Sequence, residues 1–119
     1  ELPVPTVRDR TIPVQTNLTA SNDQIAAGER HYNNYCAVCH GLAVRSGGSI
    51  PDLRRMSEGT HTVFNQIVQD GLLAANGMAA FDDVVSDEDT TMIHHYVRAR
   101  AEQDRLAAAG EGGGQLTWQ

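Results

Sequence analysis

The chain contains no lysine, so its nine basic side chains are all arginine, and they face fifteen aspartates and glutamates. The resulting net charge of −6 speaks against nucleic acid as a partner, because phosphate backbones are held by surplus positive charge. Aromatic residues are scarce: Tyr32, Tyr35, Phe64, Phe81, Tyr96 and Trp118 are all there are in 119 residues. Eleven glycines and many alanines thin the interior further. One domain of this length should bury roughly 60% or a little more of its unfolded surface, and these side chains fill such an interior poorly. No stretch approaches the ~20 apolar residues that cross a membrane. The opening Glu1-Leu2-Pro3-Val4-Pro5 has neither the basic start nor the apolar run of a secretory signal, so the chain reads as soluble, and as processed or cut from something longer.

Cysteine is equally rare, and its two occurrences fall in one motif, Cys36-Ala37-Val38-Cys39-His40. Two thiols three positions apart fit on one helical turn, so each can add across a vinyl group of a haem, with the following histidine beneath the iron. Other uses fit less well. A redox C-x-x-C needs a βαβ setting and a lowered thiol pKa, and here an amphipathic helical stretch precedes it. A structural zinc site usually needs four ligands, and His31, His61, His94 and His95 do not supply the missing pair. A disulfide across two intervening residues is geometrically poor. The motif therefore predicts one covalent haem c, attached outside the bacterial cytoplasm in the periplasm. A buried porphyrin would also supply the apolar centre that the side chains lack, so the haem-free chain should be largely unfolded.

Along the chain, residues 1–20 carry Pro3, Pro5 and Pro13 among β-branched residues and should form an extended linker or strap. Ser21-x-x-Gln24 has the form of a capping box. Ile25, Gly28, Tyr32, Tyr35 and Cys36 then follow at helical spacing, giving a first helix over about 22–36. Gly28 inside a helix costs stability, and a close approach by another helix would explain it. Residues 41–60, with Gly47, Gly48 and Pro51, should be an irregular loop. Val63, Phe64, Ile67, Val68 and Leu72 mark a second helix over about 60–74. Ser86-x-x-Asp89 opens the last, with Met92, Ile93, Tyr96, Val97 and Ala101 on its buried face and an end near 108. Residues 109–119 form a glycine-rich tail, from which Leu116 and Trp118 could dock back.

Charge is uneven, with six arginines against five acids in 1–57 and three against ten in 58–119. The cluster Asp82, Asp83, Asp87, Glu88 and Asp89 reads as a solvated helix start that favours the helix dipole; the sharper alternative is a patch that steers a basic partner.

The sixth position on the iron separates electron transfer from ligand chemistry. Met92 lies on a core face and Met56 closely follows Arg54-Arg55. Met78 sits in a glycine-flanked loop from which a thioether can reach the iron, which makes it the preferred ligand. His61 is the rival, and reads first as an exposed residue in a helical first turn. His94 and His95 are weaker candidates, and His31 belongs to the first helix.

With these residues in hand, positions 22–103 resemble class I cytochromes c, an all-α fold with three main helices around one covalent haem. Gly28 and Tyr32 stand where that family packs its first helix on its last, and Ile93 and Tyr96 resemble the partners. Cys36-Ala37-Val38-Cys39-His40-Gly41, Gly47-Gly48, Pro51-Asp52-Leu53-Arg54, Thr60-His61, Phe64, Ile67-Val68, Gly71, Gly77-Met78 and Phe81 are similar to the C-terminal cytochrome domain of quinohaemoprotein alcohol dehydrogenases. That resemblance implies thioethers at Cys36 and Cys39, iron ligands His40 and Met78, a Pro51 carbonyl accepting from the His40 Nδ1–H, and Arg54 near a propionate. It also implies a cofactor site including Leu53, Phe64 and Phe81. Ala79 departs from a frequent proline.

The function this implies is one-electron transfer from a dehydrogenase that depends on pyrroloquinoline quinone to a downstream redox protein, quinone or oxidase. The chain would then be that enzyme's own cytochrome domain. A free-standing carrier is the nearest alternative, and a haem sensor or peroxidase a more distant one. That family's quinone-binding and alcohol-binding residues cannot be carried over, because the propeller that holds them is absent from these residues.

Overall fold

The computed structural model describes residues 11–46 and 50–110. Expectations about Pro3, Pro5, Gly47, Gly48, Leu116, Trp118 and the tail beyond Gly110 fall outside those residues. Among the described residues there are five α-helices and no strand: α1 Asn22–Tyr35, α2 Ala37–His40, α3 Glu58–Thr62, α4 Phe64–Asp70 and α5 Asp87–Ala108. Short 3-10 turns occur at Leu42–Val44, Leu53–Arg55 and Ala74–Asn76.

The caps lie where the sequence puts them. The Ser21 hydroxyl accepts from the Gln24 amide at 3.2 Å while the Gln24 side chain accepts from the Ser21 amide at 2.8 Å. This reciprocal pair satisfies two of the donors that a helix start leaves open. Ser86 caps α5 through the Asp89 amide at 3.0 Å, with Asp87, Glu88 and Asp89 in the first turn.

The frame of the molecule is the crossing of α1 and α5. Gly28 is buried there, and a Cβ at that position would overlap the Met92 carbonyl of α5. The glycine is thus required by backbone approach, and the close contact lets Tyr32 and Tyr96 meet with ring centroids 5.3 Å apart and tilted by 57°. Both tyrosines are fully buried, as are Ile93 and Val97. Burial raises the Tyr32 phenol pKa and takes that of Tyr96 up to about 12.

The helix expected over 60–74 is two. Ser57 caps its start at Glu58, and Val63 breaks it with φ −105° and ψ 16°. Gly71 then ends α4 in the left-handed region, with the Leu72 amide reaching back to the Gln66 carbonyl at 3.3 Å. Leu72, expected on the apolar face, is exposed because the helix has already stopped.

Residues 11–20 hold no helix and are mostly exposed, touching the domain at Gln15 and Thr16. Gln15 is buried, its backbone amide serves the Glu102 carboxylate on α5, and the Thr16 hydroxyl donates to Glu58 Oε1 of α3 at 3.2 Å.

Candidate haem-attachment site

The attachment motif occupies a single turn. α1 ends as the Cys36 amide reaches the Tyr32 carbonyl at 2.8 Å, and α2 follows with the His40 amide on the Cys36 carbonyl at 2.9 Å. Both cysteines are free thiols, Cys36 half-buried and Cys39 exposed. Burial, followed by the neighbouring Cys39, pushes the Cys36 thiol up to about 11, so it is a neutral thiol at physiological pH. Gly41 closes the turn at φ +90°, where a Cβ would run into the Arg45 carbonyl. The Tyr32 hydroxyl donates to the Gly41 carbonyl at 2.7 Å. The tyrosine at the helix crossing thereby also fixes the motif.

His40 is half-buried, and burial lowers its pKa, opposed by the Pro51 carbonyl. Burial thus favours the neutral imidazole, which is the form that binds a metal. Its Nδ1 is closed off from solvent without a fully formed hydrogen bond, and the Pro51 carbonyl is the backbone acceptor that acts on the ring.

The Pro51 loop is built by charge. Asp52 Oδ1 accepts from the Arg54 amide at 3.0 Å, capping the 3-10 turn, and the same carboxylate takes Arg54 Nε at 3.0 Å and NH2 at 2.8 Å. Arg54 NH1 reaches Asp104 Oδ2 of α5 at 2.9 Å. Burial pushes both carboxyls up, but the arginine hydrogen bonds prevail and hold them below their ordinary range. Leu53, beside them, packs half-buried against the core.

Met78, Phe81 and Met56 also pack half-buried against the core, and Phe64 belongs to it. Gly77, at φ +101°, turns the chain into Met78, whose amide bonds to the Leu73 carbonyl at 3.2 Å. The Phe81 amide bonds to the Val68 carbonyl at 2.7 Å, fixing the far end of this loop to α4. Large apolar side chains stand exposed on the same segments: Val38 at 88%, Leu42 at 75% and Leu72 at 56%. Two free thiols on one turn, a neutral histidine and uncovered apolar side chains fit a covalently held haem.

His61 differs from expectation. It is only 4% exposed, because α3 starts at Glu58 and turns the ring inward under α5. Its Nδ1 meets His94 Nε2 at 2.7 Å, and His94 in turn stacks on Phe64 with centroids 4.1 Å apart. Burial, then the Arg98 charge, takes the His94 pKa down to about 3. His31 pairs with Asp89 at 3.2 Å. Sequence reasoning also missed Asp104, although it continues the buried stripe of Ile93, Val97 and Ala101 by three positions; an acid in that register signals a buried charge partner. Asp52 carried the weaker signal of an Asx turn after proline.

The chain is similar to known proteins over much of its length. The family described as cytochrome c oxidase, cbb3-type, subunit III matches residues 23–97. Quinohemoprotein alcohol dehydrogenase ADH IIB of Pseudomonas putida is 43% identical over 90 residues, 76% of this chain and 13% of that protein. Cytochrome c550 of Pseudomonas aeruginosa is 35% identical over 82 residues, 63% of this chain and 54% of that protein. Among solved structures, quinohemoprotein alcohol dehydrogenase ADHIIG of Pseudomonas putida HK5 superposes with a TM-score of 0.70 at 35% identity, covering 99% of this chain and 16% of the other. The chain thus spans about an eighth of the ADH IIB dehydrogenase.

Proposed function

Given that the chain belongs to the cytochrome c family described as cytochrome c oxidase, cbb3-type, subunit III, and has the helical cytochrome c fold, we propose that it is the one-electron carrier domain of a periplasmic quinohaemoprotein alcohol dehydrogenase. The observation that carries this reading is the single turn holding two free thiols, closed by the half-buried His40 imidazole. Family membership implies haem c; one haem, attached through thioethers at Cys36 and Cys39, is our reading. The iron of such a group supplies reversible passage between ferrous and ferric states.

In this reading His40 and Met78 would hold the iron, and the group would supply one-electron transfer. The Pro51 carbonyl holds the His40 ring through Nδ1, and the turn around Asp52 aims that carbonyl. Leu53, Phe64 and Phe81 exclude water from the haem. Arg54 presents N–H groups left over from Asp52 and Asp104 to a propionate, with which a guanidinium pairs well. The donor would be a dehydrogenase dependent on pyrroloquinoline quinone, supported by the resemblance to ADH IIB. The acceptor would be a downstream redox protein, quinone or oxidase. No described helix is long and apolar enough to cross a membrane. A haem that binds small ligands would call on His61 as its distal group, and that ring is buried against His94.

The test is haem retention after denaturation. Haem staining should follow the wild-type chain through denaturing electrophoresis and vanish in the Cys36→Ala/Cys39→Ala variant, and anaerobic titration should consume one electron per chain. A chain that releases its haem on denaturation, or that takes up two electrons, contradicts the proposal.

A further inference from the structure

The Pro51 loop is held from a distance. Asp104 lies near the C-terminal end of α5, 9% exposed, and its carboxylate gathers Arg54 NH1 at 2.9 Å and Arg45 NH2 at 3.1 Å, with Arg100 NH2 at 3.7 Å. Arg54 carries the connection onward, because its other two nitrogens form the fork on Asp52. Asp52 immediately follows Pro51 and shapes the turn by capping the Arg54 amide. The Pro51 carbonyl acts on the His40 ring, whose buried Nδ1 makes no hydrogen bond in this structure. Charge-assisted hydrogen bonds therefore run from α5 to the turn that follows Pro51, and the Pro51 carbonyl is the step from that turn to the imidazole. Such bonds are short and directional, and a partner on the far nitrogen of a metal-binding histidine fixes the ring and raises its basicity.

We infer that Asp104 is a positioning residue for the His40 imidazole, acting through Arg54, Asp52 and the Pro51 carbonyl. The inference rests on the reading of His40 as an iron ligand. A surface ion pair would not have this reach. Arg45 supplies the internal contrast: it also binds Asp104, but its side chain is 58% exposed and it takes no part in the Pro51 turn.

The experiment uses the haem-loaded chain in its ferric form and follows solvent exchange of the His40 Nδ1 proton by NMR, beside the midpoint potential and thermal melting. Asp104→Asn should speed that exchange at least tenfold. It should also raise the ferrous-to-ferric ratio at a fixed applied potential severalfold, because a loosened Nδ1 bond weakens donation to the ferric ion. Asp104→Glu should restore slow exchange, and Arg45→Gln should leave it as in wild type. Should Asp104→Asn exchange its Nδ1 proton like wild type, or should Asp104→Glu and Arg45→Gln speed it equally, the inference is overturned while the haem reading stands. Absence of any iron-shifted Nδ1 proton in wild type overturns both. If Asp104→Asn does not fold, the decision passes to Asp104→Glu, which must then exchange slowly.

Discussion

Two faces of this domain are finished to different degrees. At the crossing of α1 and α5 every position is closed by the chain itself: Gly28 admits the Met92 carbonyl, and Tyr32, Ile93, Tyr96 and Val97 are sealed. On the segments that carry the cysteines and Met78, large apolar side chains such as Val38, Leu42 and Leu72 face outward, and free thiols sit among them. Apolar surface left open in this way usually marks a binding site. One region is closed by its own side chains, and the other leaves apolar side chains and thiols that a haem would cover in the proposed reading.

The comparison breaks most severely if the second face is deprived of its cofactor. The Cys36→Ala/Cys39→Ala chain should lose cooperative unfolding altogether, because the scaffold alone is too small to offset the entropy of ordering the chain. Calorimetry checks this, and a sharp melting transition in the haem-free variant would show the scaffold to be self-sufficient.

The converse attack is on the scaffold. Gly28→Ala places a Cβ into the Met92 carbonyl, so α1 and α5 must separate, at a cost of about 3 kcal/mol. Denaturant unfolding of the haem-loaded protein should show this loss while the haem remains attached. An unchanged midpoint would mean that the crossing is looser than described.

Acid sharpens the contrast, because the buried imidazoles lie on the scaffold side. His94 titrates at about 3 when folded against an ordinary 6.5. Between those values the unfolded chain binds a proton that the folded one refuses, so stability is full above about 6.5 and falls as the pH drops toward 3. His61 and His95 are shifted the same way by burial, with Arg98 adding to the shift and Glu58 opposing it at His61 and His94. His94→Gln should flatten the slope of stability against pH between about 6 and 4; equal slopes for the two proteins would remove His94 from the acid response.

The smallest effect belongs to the loop just after the attachment turn. Ala43, at φ 57° and ψ 28°, adopts a left-handed conformation without being glycine. Ala43→Gly should therefore stabilise by about 0.5–1 kcal/mol, seen as a rise in melting temperature. A fall would place the strain elsewhere.

Legibility in the sequence follows the same division. Caps at Ser21 and Ser86, the need for Gly28 and the end of α5 near Ala108 all follow from local chemistry, in which a few neighbours decide. The single helical turn that carries Cys36, Cys39 and His40 is legible for the same reason, since the spacing of the motif sets it. The break at Val63 was not, because the position continues a sound apolar period and only tertiary packing sets its φ and ψ. His61 was misplaced for the same cause: moving a helix start by two residues turns a surface position inward. The link from Asp104 to Arg54 spans fifty positions, and pattern alone cannot pair residues so distant, although the register of Asp104 on the buried stripe was visible.

In the proposed reading a haem held by His40 and Met78 would pass single electrons. The most direct measurement is the optical spectrum of the ferric protein, wild type and Met78→Ala, together with carbon monoxide binding to the ferrous forms. The account predicts a weak sulfur-to-iron band in the far red of the wild type that vanishes in Met78→Ala, and ready carbon monoxide binding by the variant alone. A wild-type protein that lacks the band and binds carbon monoxide at once has an open sixth site, and that result contradicts the account.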